Sequence, residues 1–286
     1  AMIKLGVARL PEVEKDNTDR NRTSPFAFTG AKFEFRAVGA SQSIAFPVML
    51  LNATVAEALG ELTTTLRAAI NKTKSVDDAV LQVVRDAFKE TAAVRFEGNN
   101  YSDEWVKEAE TRGLLNLRRT PEALAQLLTK ESRACLIKLG ILSKPEIESR
   151  FHIRLERYVK DMLIEMHTLA ELVDTMVLPA AFAYASMLVD SAANAKTAGV
   201  TVVPQLATAT QLGRMIEALQ ARREALGQVT DKAEGMHDAL EAQATLLTSA
   251  GAERMADVRQ SADALELVVS DELWPLPKYR EMVFPV

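Results

Sequence analysis

The residues best suited by type to chemistry lie between Asp19 and Arg36: Asp19-Arg20-Asn21-Arg22-Thr23-Ser24-Pro25-Phe26-Ala27-Phe28-Thr29-Gly30-Ala31-Lys32-Phe33-Glu34-Phe35-Arg36. At its end Lys32, Glu34 and Arg36 alternate with Phe33 and Phe35. Successive side chains of a strand point to opposite faces, so this pattern predicts a half-buried strand with a carboxylate bracketed by two cations. Such a row suits an anionic phosphorylated ligand held with a divalent cation. Glu34 would offer a hard oxygen ligand, and the flanking cations would offset phosphate charge. The plainer reading of the same residues is a solvated strand face with local ion pairs of small energetic weight. The pattern alone leaves both open.

Other constellations carry less. Glu234-Gly235-Met236-His237 has the Glu-x-x-His spacing of di-iron bundles, but such sites need a second motif and further glutamates, and the sequence offers no second. His152 and His167 read as surface or interface residues, too far apart on one helix to share a metal. Met162, Met166 and Met176 read as core packing. The single cysteine, Cys135, sits among Ala134, Leu136 and Ile137. It excludes an internal disulfide and reads as a buried helical thiol.

Two kinds of element would have to position these groups. Residues 3–40 read as strands and turns: Lys4 to Leu10 ends at Pro11, a polar stretch follows, and Gly30 turns the chain before Phe33. One or two strands cannot cover their own apolar face, so this segment reads as a piece of a larger sheet. From Ser41 onward the chain reads as helical. One helix is expected from Ile44 to Ile70, ending at Asn71. A second is expected from Ser75, with Asp78 closing a capping box, to about Glu97 and a stop at Gly98. Ser102 is expected to cap a short helix bearing Trp105, and Thr120-Pro121-Glu122 reads as cap, first-turn proline and first-turn acid.

The clearest periodicity is Leu155, Val159, Met162, Met166, Leu169, Val173, Met176 and Ala180, alternating steps of four and three. That is a coiled-coil-like seam. It predicts a helix over about 145–195, on the order of 70 Å long at 1.5 Å per residue, with a kink at Pro179. A turn at Gly199–Pro204, a helix from Ala207 bearing Leu212, Ile216 and Leu219, and another over Ala252–Ser270 follow. Long helices joined by short turns fold back antiparallel. The expected architecture is mainly α, with a strand remnant at the start and a long antiparallel helical hairpin or small bundle after it.

Composition fits. Over 286 residues, 48% are hydrophobic, 26% charged and only 6% aromatic, an aliphatic balance that favours helices. A net charge of -5 and a pI near 5.5 argue against nucleic acid as a partner, which requires a concentrated basic face. With no signal-peptide pattern and no uncharged apolar run of spanning length, no membrane partner is expected and a cytoplasmic protein is. Ala1-Met2 reads as a cleavage scar ahead of a segment begun mid-protein.

The string from Asn21 to Gly30, followed by Lys32-Phe33-Glu34-Phe35-Arg36, resembles the signature of type III glutamine synthetases. Asp271-Glu272-Leu273-Trp274-Pro275-Leu276-Pro277-Lys278-Tyr279-Arg280-Glu281-Met282 is similar to the end of such chains. The resemblance is direct over residues 3–55 and 271–284, and the helices between fit the type III extension in length and character. It implies that residues 3–70 are the C-terminal piece of the family's catalytic domain, with one or two strands of its β-sheet. Residues 71–286 would then be a helical extension with long helices over about 145–195 and 207–270.

The implied activity is that of an ATP-dependent glutamate–ammonia ligase, which forms γ-glutamyl phosphate and then glutamine, with Mg2+ or Mn2+ as cofactor. The implied roles are metal binding for Glu34, nucleotide phosphate and phosphoryl-transfer contacts for Arg22, nucleotide proximity for Lys32, and substrate contact for Arg36. Ala31 departs from the family, where Asn is expected. The resemblance further implies a homo-oligomeric ring, a dodecamer, of full-length chains. It places the remaining metal ligands upstream of Met2, so this segment alone is expected to bind neither ATP nor metal tightly and to be inactive. The alternative is a helical assembly or scaffold module without catalysis.

Overall fold

In the computed structural model the described residues are 2–3, 13–14, 26–28, 32–35, 43–95, 102–201 and 203–283. They are mostly helical. Four short strands come first: β1 (Met2–Ile3), β2 (Val13–Glu14), β3 (Phe26–Phe28) and β4 (Phe33–Phe35). Then come α1 (Ala45–Thr73), α2 (Val76–Glu90), α3 (Asp103–Thr111), α4 (Thr120–Ala125), α5 (Lys130–Lys138) and α6 (Lys144–Leu172). The remainder are α7 (Leu178–Thr197), α8 (Pro204–Glu234), α9 (Leu240–Leu246), α10 (Ala252–Glu266) and α11 (Tyr279–Val283). The chain divides into two units, residues 1–117 with 130–143, and residues 118–129 with 144–286.

In the first unit, β1 pairs antiparallel with β2, Met2 opposite Glu14 and Ile3 opposite Val13. β3 pairs antiparallel with β4 in the register Phe26–Phe35, Ala27–Glu34 and Phe28–Phe33. Helix α1 accommodates Thr63, Thr64 and Thr65 because each hydroxyl donates to the carbonyl four residues back, at 2.6, 3.0 and 3.0 Å. It ends at Lys74, φ 57°, whose N–H bonds Ile70 O at 2.8 Å. The end thus falls after the expected Asn71, because the left-handed residue that breaks the ladder lies beyond it.

Ser75 caps α2 as expected, accepting from the Asp78 N–H at 3.3 Å. The helix stops at Glu90 and tightens into a single turn over Thr91–Val94. Arg95 then folds back, donating to Phe88 O and lying 4.4 Å from the Phe88 ring centroid. The expected stop at Gly98 lies outside the described residues. Ser102 accepts from the Trp105 N–H at 3.3 Å and caps α3, also as expected.

In the second unit, α4 begins at Thr120 itself. Arg119 occupies the capping position without a side-chain cap, and Pro121 stands in the first turn. The run from Lys144 to Thr197 is continuous, with a π turn at Val173–Val177. Pro179 explains that turn: it has no N–H to give the carbonyl four residues back, and the wider turn relieves the ring clash there. The extra residue shifts the buried stripe. Leu155, Val159, Met166 and Val173 are buried in heptad register. Beyond the turn Val177 and Ala181 carry the stripe in the core, while Ala180 is buried as expected and Met176 is only partly buried.

Gly199, φ +81°, closes α7, and Pro204 opens α8 three residues before the expected Ala207. Three side-chain pairs join α8 to the continuous run before it: Ser191 with Gln205 at 3.4 Å, Asp174 with Arg223, and His167 with Glu234 at 2.7 Å. They step down one helix as they step up the other. Helix α8 breaks at Gly235, and the next run starts at Leu240, not at Ala252, passing through a second π turn at Leu247–Gly251. The buried Gln243 amide donates to Ala233 O at 2.9 Å, a carbonyl that also accepts the Met236 N–H at 3.0 Å just past the break.

Leu212, Ile216 and Leu219 line one face of α8, as their spacing predicts, and join Met166, Leu226, Leu247, Val258, Leu265 and Trp274 in a continuous core. Truncating any one fully buried leucine here to alanine would cost about 2–5 kcal/mol. By length and composition Ala45–Thr73 and Lys144–Thr197 are apolar enough to cross a membrane. The sequence offered no run of spanning length that is both uncharged and apolar throughout. The second of these helices packs its stripe into the core.

Candidate functional site

Three residues of the chemistry-bearing segment, Lys32, Phe33 and Glu34, are described with their side chains. Lys32 Nζ lies 3.6 Å from Glu34 Oε1, with the Glu34 side chain 38% exposed. Two-residue spacing places both on one face of the strand end, and the β3–β4 pairing sets Glu34 across from Ala27. Phe33, on the opposite face, is 60% exposed. A two-stranded ribbon brings no layer to bury it. Arg22 and Arg36 lie outside the residues whose side chains are described.

A divalent cation wants six or more oxygen ligands. Among the described residues, no group of three His, Cys, Asp or Glu side chains stands together to hold one. Glu34 with an ammonium beside it is a fragment of such a donor set. These residues by themselves do not fit a Mg2+ site, and they support no reaction step through a metal.

A second cluster was not legible in the sequence, because its members are distant along the chain. On α1, Glu57 receives the Lys138 ammonium at 2.9 Å and faces the thiol of Cys135, both from α5. The thiol hydrogen bond, then Lys138, hold the Glu57 carboxyl below its ordinary value. Burial, then Glu57, push the Cys135 thiol up to about 11. Cys135 is half-buried, and the raised value makes it a proton donor to a carboxylate and not a nucleophile. Spacing offered only one hint, that Cys135 and Lys138 are three apart on a helix and share a face.

In the second unit His167 meets Glu234 and not His237, so the Glu-x-x-His spacing is not realised as a pair; Glu234 faces across to α6. Arg223 grips Asp174 with both nitrogens of its fork, Nε at 3.1 Å from each oxygen and Nη2 at 2.7 Å. Arg222 turns toward α10, donating to Asp257 O at 2.8 Å, Ser261 Oγ at 2.9 Å and Gln260 Oε1 at 3.1 Å. These bonds tie helices to one another. They frame no cavity with converging reactive groups.

Comparison with known proteins supplies the missing context. Residues 79–196 match the family described as glutamine synthetase C-terminal domain. Over 99% of its length the chain is 34% identical to a glutamine synthetase of Bacteroides fragilis (strain YCH46). Over 98% it is 36% identical to the type-3 glutamine synthetase of Dictyostelium discoideum. Over 94% it is 35% identical to a glutamine synthetase of Butyrivibrio fibrisolvens. The chain spans 39%, 39% and 38% of the lengths of these three relatives. Because the similarity runs through the strand segment and the helical units alike, the chain belongs to the glutamine synthetase family and is similar to its type III members.

Proposed function

We propose that this chain is the C-terminal part of an ATP-dependent glutamate–ammonia ligase, and that β4 with its flanks contributes to that enzyme's phosphoryl-transfer centre. The supporting observation is that Lys32 and Glu34 share one face of a strand in a chain similar to glutamine synthetases over nearly its whole length. Glu34 supplies one oxygen of a Mg2+ or Mn2+ donor set that other strands of the ligase complete. Arg22 faces the phosphates of ATP, Lys32 lies near the nucleotide, and Arg36 contacts glutamate. Guanidinium groups suit these places because they stay charged and present a planar fork to oxyanions. The bound metal supplies neutralisation of charge on the transferring phosphoryl group.

Residues 3–70 complete the catalytic domain in this reading, and 71–286 form a helical extension in which α7 and α8 make an antiparallel hairpin. The whole ligase is cytoplasmic and works as a ring, a dodecamer, on glutamate, ammonia and ATP. The segment alone turns over no substrate, for want of metal ligands.

The test is glutamine formation by the full-length ligase carrying Glu34→Gln. Turnover should fall by at least about 100-fold, and the Mg2+ concentration for half-maximal rate should rise. Wild-type turnover at wild-type Mg2+ demand refutes the assignment.

The zipped core of the second unit favours a concurrent role in assembly. Sizing the ligase with and without residues 145–272 tests it, and an unchanged ring counts against it.

A further inference from the structure

The segment Asp271-Glu272-Leu273-Trp274-Pro275-Leu276-Pro277-Lys278 and the short α11 after it belong to the second unit. Trp274 is 8% exposed and lies in the core of that unit, with Leu273 and Leu276 packed against it. The backbone is attached far less. The N–H groups of Leu273 and Trp274 bond Ser270 O, each at 3.0 Å, and those of Glu281 and Met282 bond Lys278 O at 2.9 and 3.2 Å. Pro275 and Pro277 have no N–H to offer. Among the described residues, side chains are what hold 271–283 to the helices.

Lys278 is the polar attachment. Its side chain is 15% exposed, and its ammonium pairs with Asp271 and donates to Glu266 O, at the end of α10, at 3.4 Å. Carbonyls of a last helical turn have no helical donor, so water serves Glu266 O once Lys278 leaves. The indole N–H of Trp274 is buried with no acceptor among the described residues, and release gives it one in water. Leu267, 88% exposed, stands in the turn that joins α10 to the segment, so its side chain is not packed against rotation there.

We propose that residues 271–283 are a releasable strap, which leaves the second unit in one piece while α8 and α10 stay folded, with Lys278 as its catch. Burial of Trp274 closes the strap. The want of backbone bonds into the helices and the unmet indole N–H keep that closure shallow, which are the marks of a segment that opens below the global transition. The open form uncovers the apolar floor beneath Trp274, so the strap governs whether this unit offers an apolar docking face. None of this rests on the ligase reading.

Trp105→Phe leaves Trp274 as the one tryptophan of the 286-residue chain. Its emission then reports the strap, and hydrogen exchange over α8 and α10 reports the helices beneath. In rising urea the emission should shift to the red while both helices still exchange slowly. Lys278→Met keeps the apolar stem and removes the ammonium. It should raise the opening constant on the order of tenfold, moving the emission change to lower urea and leaving helix exchange where it was. Leu276→Ala, which weakens the apolar attachment, should act in the same direction. Emission and helix protection lost in a single transition overturn the strap. So does either variant in which the two are displaced together.

Discussion

A Cβ built on Gly251 would stand 3.3 Å from the Sδ of Met166 and 3.6 Å from a Leu247 methyl. The π turn over Leu247–Gly251 thus lays bare backbone against α6, and the fully buried Met166 fills the space that a side chain at 251 would claim.

Gly251→Ala should therefore forgo most of the helix-propensity gain of about 1 kcal/mol that the exchange gives elsewhere. Met166→Ala should cost about 2–5 kcal/mol. With Met166 truncated, the added methyl has room, so Gly251→Ala should be more favourable in that background than in wild type. Urea denaturation of the two singles and the double measures the coupling, and strict additivity would show that the two sites do not compete for space.

The Arg223–Asp174 fork joins α8 to the π turn of Val173–Val177. Lysine keeps the charge but loses the paired geometry. Arg223→Lys should lower stability by about 0.5–1 kcal/mol, the upper part of the range for partly exposed pairs. Hydrogen exchange should show the loss first in residues 173–177. Wild-type exchange there would mean the π turn is held by Pro179 and packing alone.

A thiol raised to about 11 from 9.0 carries roughly 100-fold less thiolate at about pH 8 than the same thiol unfolded. Iodoacetamide should label Cys135 about 100-fold more slowly in the native chain than in urea. Glu57→Gln removes the neighbouring negative charge and should speed native labelling. Equal native and denatured rates would refute the cluster.

The same contact should fail in acid. Glu57 is held below its ordinary 4.5, first by the Cys135 thiol and then by Lys138. A depressed carboxyl stabilises the folded state above the unfolded value and stops doing so as pH falls through the folded one. Exchange in residues 130–138 should therefore be slower in wild type than in Glu57→Gln at neutral pH. The two should converge below about pH 4.5. A difference that persists in acid would assign the protection to packing instead.

Much of the helical part is legible in the residues themselves. Ser75 and Ser102 announce α2 and α3 because a cap works through residues three apart. Leu212, Ile216 and Leu219 show the inner face of α8 because 3.6-residue periodicity is local. The break at Gly235, by contrast, leaves little trace in composition. Gln243 reaches Ala233 O only after the chain has turned back, a contact that no local pattern announces. The metal and phosphate reading of Glu34 comes from resemblance to a family, since alternation of charge along a strand by itself fits solvent equally well.

Sequence alone determined the helical class, the capped starts and the apolar seam as far as Val173, all of which depend on neighbours within a turn or two. The tertiary structure decided the contacts between residues far apart along the chain. The π turn moved the seam from Met176 to Val177 and brought Ala181 into the core beside the expected Ala180. Glu234 met His167 instead of its near neighbour His237. Cys135 found its acceptor on α1 at Glu57. Local spacing fixes which faces a helix can offer, but packing chooses the partner, because burial and charge pairing are satisfied only in three dimensions.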